Sequence, residues 1–148
     1  MATIKTEKGS DMILAIEAIN AINNVRSSEV VVATMTANRY WESVSNNQEM
    51  DLPVFGAMGK ASSVALGRAL SQPNKEIVVL DGDGSLLMNL GSLITVSGME
   101  PKNVLHFVFE DGAYWTTGGQ PIPGNGKFDL SAMANDAGYR STHSFEDL

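Results

Sequence analysis

Residues 78–84 form an apolar, strand-like run that ends in an acidic glycine turn, Gly82-Asp83-Gly84. The turn places the Asp83 carboxylate at the carboxyl end of a strand and beside a helix start, where backbone N–H groups bind anions. A second apolar run, 104–109, ends at Glu110. Because Mg²⁺ prefers one or two carboxylates together with ligand phosphates, the two strand ends predict a corner shared by a phosphate and a divalent cation.

Helical and strand patterns alternate along the chain and must position these groups. Asp11 can cap a first helix whose apolar residues recur at three- and four-residue spacing, and Asn23-Asn24 is expected to end it. Further helices are predicted at 62–70, 86–97 and 129–137, and strands at 29–33, 76–81, 104–109 and 139–144. Residues 34–50 are predicted as a loop with a short helical piece, and 112–127 as a long, functional loop. The alternation predicts an α/β fold, a mainly parallel sheet covered by helices on both faces.

Composition excludes several classes of protein. The 148 residues predict one domain, 1–148, and zero cysteines exclude disulfides and thiolate metal sites within the chain. A net charge of −7 without a basic cluster argues against a nucleic-acid partner. The chain shows neither a membrane-length apolar run nor a signal peptide, so a cytoplasmic protein without a membrane partner is expected. His106, inside a predicted strand, is expected to be a packed core residue.

Several segments together resemble one enzyme family. They are Gly82-Asp83-Gly84-Ser85 with an acidic residue 27 positions after Asp83, Gly56-Ala57-Met58-Gly59-Lys60-Ala61-Ser62-Ser63, Met88-Asn89-Leu90-Gly91-Ser92-Leu93, Pro101-Lys102-Asn103 and Tyr114-Trp115-Thr116-Thr117-Gly118-Gly119-Gln120. From about residue 11 onward the chain resembles the thiamine-diphosphate-dependent 2-oxoacid decarboxylases, and among them the sulfopyruvate decarboxylase beta subunits and phosphonopyruvate decarboxylases. The resemblance implies the diphosphate-binding domain of that fold, here shorter by a helix and a strand.

The resemblance implies a cofactor, thiamine diphosphate with Mg²⁺, and a role for each matching residue. Asp83, Glu110 and the Gly112 carbonyl would bind Mg²⁺. The diphosphate would be held by the glycine turn and by the loop after the second carboxylate, that is by Gly82, Gly84, Ser85, Ala113, Tyr114 and Trp115. Glycines at 82 and 84 would let backbone amides approach the phosphates.

The second matching loop implies the catalytic residues. In the Gly56-Ala57-Met58 segment, the Gly56 carbonyl would accept a hydrogen bond from the aminopyrimidine, and Met58 would support the bent cofactor from below. Lys60 stands where the family often has histidine and would offer a cation to an anionic substrate. At Thr34-Met35-Thr36 the family pattern Asp-Thr-Gly is missing, and no phosphate contact is assigned there.

The resemblance also implies a partner. In this family a glutamate on the pyrimidine-binding domain activates the cofactor, and no segment of these residues provides that domain. The chain is therefore expected to be inactive alone and to act as the beta subunit of a hetero-oligomer with an alpha subunit that carries the pyrimidine-binding domain. The expected lyase activity is decarboxylation of an anionic three-carbon 2-oxoacid, sulfopyruvate first and phosphonopyruvate second. Two alternatives stay open: another thiamine-dependent enzyme, such as an oxidoreductase subunit or an acetolactate-synthase-like protein, and a non-catalytic diphosphate-binding module.

Overall fold

The fold is a parallel sheet between two layers of helices, in a computed structural model that describes residues 1–6 and 12–147. Its strands are β1 (Ala2–Lys5), β2 (Val30–Thr34), β3 (Asp51–Val54), β4 (Ile77–Gly82), β5 (Val104–Glu110), β6 (Ala113–Tyr114), β7 (Gln120–Pro121) and β8 (His143–Phe145). Its α-helices are α1 (Ala15–Val25), α2 (Met35–Val44), α3 (Ala61–Ser71), α4 (Asp83–Leu87), α5 (Ser92–Met99) and α6 (Leu130–Asp136). Within the described residues no helix combines the length and the apolar character that crossing a membrane demands.

Six strands form the main sheet in the order β3-β2-β4-β5-β1-β8, and every neighbouring pair is parallel. The strands of the centre are buried on both faces, which explains their continuous apolar sequences. The predicted fold class is confirmed. β1 was not predicted, although it lies inside the sheet between β5 and β8.

The two faces of the sheet carry separate parts of the core, because side chains alternate along each strand. Val78, Leu80 and Phe109 pack with α1 and α2 on one face. On the other face, Ile77 and Val79 pack against α3. Val108 packs there too, against α4, α5 and α6.

The structure corrects several predicted boundaries on the α1–α2 side. The first helix begins at Ala15 with Leu14 as its N-cap, whereas the predicted cap, Asp11, lies outside the described residues. Residues 34–50, predicted as mostly loop, contain the ten-residue helix α2. Its buried face carries Ala37, Asn38 and Trp41, and this apolar contact outweighs the polar composition of the segment.

The predicted helix 86–97 is two shorter helices. α4 begins at Asp83 itself, and the chain turns between Met88 and Gly91 before α5 begins. At this turn the Asn89 side-chain amide donates a hydrogen bond to the Gly59 carbonyl, at 3.0 Å. The predicted loop 112–127 contains the short antiparallel pair β6 and β7. The start of α2, the start of α4 and the segment of β6 therefore lie together at the carboxyl edge of the sheet.

Candidate functional site

A cavity of about 550 Å³ opens at the carboxyl edge of the sheet. Eight of the predicted site residues line it: Met58, Gly82, Asp83, Gly84, Ser85, Ala113, Tyr114 and Trp115. Five others do not line it: Gly56, Ala57, Lys60, Glu110 and Gly112. The cavity lies where parallel α/β sheets bind their ligands.

Asp83 is buried at the first position of α4, with 3% of its surface exposed. Its Oδ1 accepts a hydrogen bond from the Gly84 N–H at 2.6 Å, and its Oδ2 accepts one from the Gly112 N–H at 2.8 Å. Burial raises the pKa of the Asp83 carboxyl above its usual range, and these two hydrogen bonds act against that rise. The carboxylate is thus held in one orientation by two segments of backbone.

Gly84 and Ser85 continue the turn into α4. A Cβ at Gly84 would lie 2.5 Å from the Tyr114 ring, so only glycine allows the ring to cover the helix start. The Ser85 hydroxyl accepts a hydrogen bond from the Gly59 N–H at 3.0 Å and thereby joins this turn to the loop that carries Met58.

A second carboxylate, Asp111, lines the same cavity. Its Oδ1 accepts a hydrogen bond from the Ala113 N–H at 3.1 Å. Burial, with the nearby charge of Asp83 as a further cause, raises the pKa of Asp111 to about 6, although hydrogen bonds from Ala113 and the Trp115 side chain favour the charged form. Two carboxylates that repel each other in one cavity favour a bound cation.

Glu110 does not reach this cavity. It lines a separate pocket of about 100 Å³ with Lys5, Phe128, Asp129 and Ser144. Its neighbour Phe109 packs with α1 and α2 and lines the main cavity, whereas Phe128 packs on the opposite face of the sheet. Because side chains alternate along a strand, Phe109 and Asp111 face one side and Glu110 faces the other. The spacing of 27 residues from Asp83 therefore selects a side chain on the face of β5 opposite the cavity.

The Gly112 carbonyl is also engaged elsewhere. It accepts a hydrogen bond from the Ile122 N–H at 3.0 Å. Gly112 has a left-handed backbone, φ 72°, and a Cβ there would lie 2.7 Å from the Asn125 side chain. Ala113, which lines the cavity, is paired with Pro121, and proline has no N–H to donate to it. Gly112 thus donates its N–H to Asp83. Of the two carbonyls, that of Ala113 is better placed to bind a cation in the cavity.

The Gly56–Lys60 loop contributes Met58 alone to the cavity lining. Gly56 and Gly59 have left-handed backbones, and a Cβ at Gly59 would lie 2.8 Å from the Asn89 Cβ, so the loop packs tightly against the turn after α4. Lys60 is the exposed N-cap residue of α3 and is not part of the cavity lining. Met58 therefore lies in the cavity wall, whereas Lys60 lies outside it.

The start of α2 is a part of the cavity for which the sequence analysis assigned no contact. Thr34, Met35, Thr36, Arg39 and Tyr40 line the cavity. Met35 adopts a left-handed backbone, φ 47°, which is rare for a residue other than glycine and marks the abrupt passage from β2 into the helix. The helical spacing of Ala37 and Trp41 is the signal that could have revealed this element.

Behind the cavity, on the opposite face of the sheet, lies a buried polar pair. His106 Nε2 and Asp81 Oδ2 are 3.5 Å apart, and both side chains are 1% exposed. Neither ring nitrogen of His106 has a hydrogen-bond partner within the described residues, and the same holds for the Tyr139 hydroxyl. His106 is the core residue that was predicted, but its polar atoms are not satisfied there.

Comparison with known proteins identifies the family to which the chain belongs. The fold and its cavity fit an α/β domain that holds a small anionic ligand at the carboxyl edge of its sheet. Residues 29–145 match the thiamine pyrophosphate enzyme family, at its C-terminal TPP binding domain. The chain belongs to this family of thiamine pyrophosphate enzymes, and the resemblance found in its sequence is confirmed.

Several of the similar curated proteins are named as decarboxylases. A sulfopyruvate decarboxylase subunit beta of Methanothermobacter thermautotrophicus is 38% identical over 138 residues, which are 93% of this chain and 73% of that protein. A phosphonopyruvate decarboxylase of Streptomyces viridochromogenes is 40% identical over 123 residues, 83% of this chain and 30% of that protein. The chain thus spans under a third of the second relative.

A solved structure supports the fold alone. It comes from Mycobacterium smegmatis and is assigned to the thiamin diphosphate-dependent enzymes. Its TM-score is 0.70 at 15% identity, and the alignment covers 95% of this chain and 33% of that one.

Proposed function

We propose that this chain is the beta, diphosphate-binding subunit of a thiamine-diphosphate-dependent decarboxylase that acts on an anionic three-carbon 2-oxoacid. Sulfopyruvate is the preferred substrate and phosphonopyruvate the second. The observation that carries the proposal is the Asp83 turn, which faces a second carboxylate in a cavity at the sheet edge. The beta-subunit relatives support both the substrate class and the division of the enzyme into two chains.

The cavity fits a diphosphate held through Mg²⁺. Within the part of the chain that the structure describes, no three His, Cys, Asp or Glu side chains cluster as a metal site. Mg²⁺ does not need such a cluster, because one or two carboxylates and the phosphates of a ligand complete its coordination. We propose Asp83 and Asp111 as its side-chain ligands and the Ala113 carbonyl as a third, in place of Glu110 and the Gly112 carbonyl.

The diphosphate would lie against backbone rather than against cationic side chains. Gly82, Gly84 and Ser85 form the turn into α4, and Thr36 at the start of α2 lines the same cavity. Backbone N–H groups at helix starts bind phosphate oxygens without a lysine or arginine. A Ser85 hydroxyl that accepts from Gly59 keeps its own proton for donation.

The apolar part of the cavity would orient the cofactor and exclude water. Met58 and Phe109 belong to the lining, and Ile19 adds to it from α1. Met58 would support the rings of thiamine diphosphate, as expected from the sequence. The cofactor itself supplies the electron sink for loss of carbon dioxide. The protein's contribution is to bind and orient it in a place with little water.

The proposal requires a partner subunit with the pyrimidine-binding domain and its activating glutamate. The experiment is native mass spectrometry of this chain, co-expressed with that partner, in Mg²⁺ and thiamine diphosphate, followed by assay of carbon dioxide release from sulfopyruvate, phosphonopyruvate and pyruvate. A hetero-oligomer with about one cofactor per chain pair and activity on sulfopyruvate is expected. Activity of the chain alone would contradict the need for a partner, and an assembled complex without cofactor would favour a non-catalytic module. Asp83→Ala in the same complex should abolish cofactor retention, whereas Arg68→Gln, outside the cavity, should not.

A further inference from the structure

Among the described residues, three charged side chains line the main cavity. Asp83 and Asp111 belong to the corner at the strand ends, and the third, Arg39, belongs to α2. Among the described residues that line the cavity, Arg39 is the one with a cationic side chain. A cation in the wall of a cavity in an acidic protein is a feature that the proposed cofactor site does not use.

Arg39 has no competing partner within residues 1–6 and 12–147. The contrast is Arg26, whose guanidinium pairs with Asp51 at 2.8 Å and donates to the Glu29 and Asn47 carbonyls. The side chain of Arg26 is 4% exposed, so it is a structural arginine. Arg39 forms no hydrogen bond or ion pair in the described part of the chain, and this exposed residue lines the cavity, so its guanidinium is free to bind a ligand there.

The position of Arg39 is set by a well-anchored helix. The neighbouring residues Ala37, Asn38 and Trp41 are buried, and the Asn38 amide donates to Glu42 Oε1 at 2.8 Å. α2 contacts the turn at Trp115–Thr117. The side chains beside Arg39 in the cavity wall are half-exposed: Tyr40 is 38% exposed and Trp115 is 51% exposed. Arg39 therefore stands on the solvent side of the cavity, beyond the buried Asp83 corner.

We infer that Arg39 binds the anionic group at the far end of the substrate and determines the preference of the enzyme for charged 2-oxoacids. This inference rests on the proposed function. A guanidinium offers two parallel N–H donors to a sulfonate, phosphonate or carboxylate, and it stays charged at every working pH. Lys60, the cation expected from the sequence for this role, lies outside the cavity lining, and Arg39 takes its place.

The main alternative partner of Arg39 is the cofactor diphosphate, and kinetics separates the two. The assembled enzyme is compared with Arg39→Gln, Arg39→Lys and the control Arg68→Gln, which removes one positive charge from α3 outside the cavity. Substrates are sulfopyruvate and 2-oxobutyrate, which has an uncharged tail. Arg39→Gln should raise KM for sulfopyruvate about 10- to 100-fold, the usual cost of losing a charge-assisted hydrogen-bonded pair. KM for 2-oxobutyrate, the Kd of thiamine diphosphate and kcat should be unchanged, and Arg39→Lys should recover part of the loss.

Two outcomes would overturn the inference. One is a weaker Kd for thiamine diphosphate together with equal losses for both substrates, which would make Arg39 a cofactor contact. The other is an unchanged KM for sulfopyruvate.

A second measurement does not depend on activity. Binding of 3-sulfopropionate, an unreactive tail analogue, to the cofactor-loaded complex is followed by calorimetry in the wild type and in Arg39→Gln. About tenfold weaker binding is expected in the variant. Equal binding would overturn the inference. A complex that binds the analogue through Arg39 but decarboxylates no 2-oxoacid would instead contradict the proposed function alone.

Discussion

Glu110 and Asp111 are adjacent carboxylates that face opposite sides of β5, and exchanging each for its amide separates their roles. The experiment measures the melting temperature of the wild type, Asp111→Asn and Glu110→Gln, alone and with the partner subunit. Each is melted first in EDTA and then in Mg²⁺ with thiamine diphosphate. The quantity of interest is the gain in melting temperature that the ligands produce.

Asp111→Asn should raise the melting temperature in EDTA and reduce the gain in melting temperature that the ligands produce. Without ligands, the difference is that the variant lacks the Asp111 carboxylate, whose pKa is raised from 3.8 to about 6 in the folded wild type. The raised pKa means that the folded state disfavours the charge of Asp111 at pH 7. Removal of this charge should therefore stabilise the fold. Asp111 is half-buried, so solvent screening reduces the effect to about 1 kcal/mol, or about 2–4 °C.

With ligands, the variant should lose affinity. Saturation at a hundredfold excess over Kd contributes about 2.7 kcal/mol, or about 5–10 °C, to a chain of this size. A tenfold weaker Kd removes about 1.4 kcal/mol of this, so the gain should fall by about half. Glu110→Gln should keep the full gain, because Glu110 lines another pocket. If Glu110→Gln lost the gain and Asp111→Asn kept it, the assignment by strand alternation would be refuted.

Three further substitutions test the packing around the site, each by urea denaturation. Gly84→Ala should cost about 1–3 kcal/mol, because its Cβ would meet the Tyr114 ring at 2.5 Å; an unchanged free energy of unfolding would show that the ring is not fixed. Arg26→Met should cost about 3–5 kcal/mol, since it leaves the nearly buried Asp51 carboxylate unpaired; a loss below 1 kcal/mol would contradict this. Tyr139→Phe should be neutral or stabilising by up to about 1 kcal/mol at pH 7, because the lost hydroxyl has no described partner. Burial raises the Tyr139 pKa from 10.0 to about 12, so the unfolded phenol ionises first and the wild type should lose stability between those pH values, a loss that the variant should lack.

The elements that the sequence patterns predicted correctly are those with long apolar runs or clear helical spacing. β4 is buried on both faces and β5 is buried over part of its length, and buried strands of a parallel sheet have continuous apolar sequences. β3 was missed because it is a four-residue edge strand that contains Pro53, which is tolerated at a sheet edge but is atypical of strands. β1 was missed because four residues flanked by polar sequence carry almost no pattern.

The Asp83 turn could be predicted because a strand, two glycines and a helix start act within a few residues of one another. The direction of the second carboxylate could not be predicted in this way, because counting residues from Asp83 does not say which way a side chain points. That direction depends on the alternation of β5, which is fixed by Phe109 packing against α1 and α2. Arg39 was not identified, since its segment was predicted as loop and only the packed helix brings it to the cavity.

The position of β1 has a consequence for how the chain acquires its fold during synthesis. β1 pairs with β5 and β8, which lie far from it along the chain. Until Val104–Glu110 has been synthesised, β1 has no neighbour in the sheet, and β8 joins the sheet through β1. Contacts of such long sequence separation slow folding, because a long loop must close before they form. Thr6, which follows β1, donates its N–H to the Glu110 carbonyl and lines the cavity, so the cavity wall is completed only when β1 has paired with β5. The protein should therefore gain its ligand-binding capacity only after β1 has paired with β5, in one cooperative step.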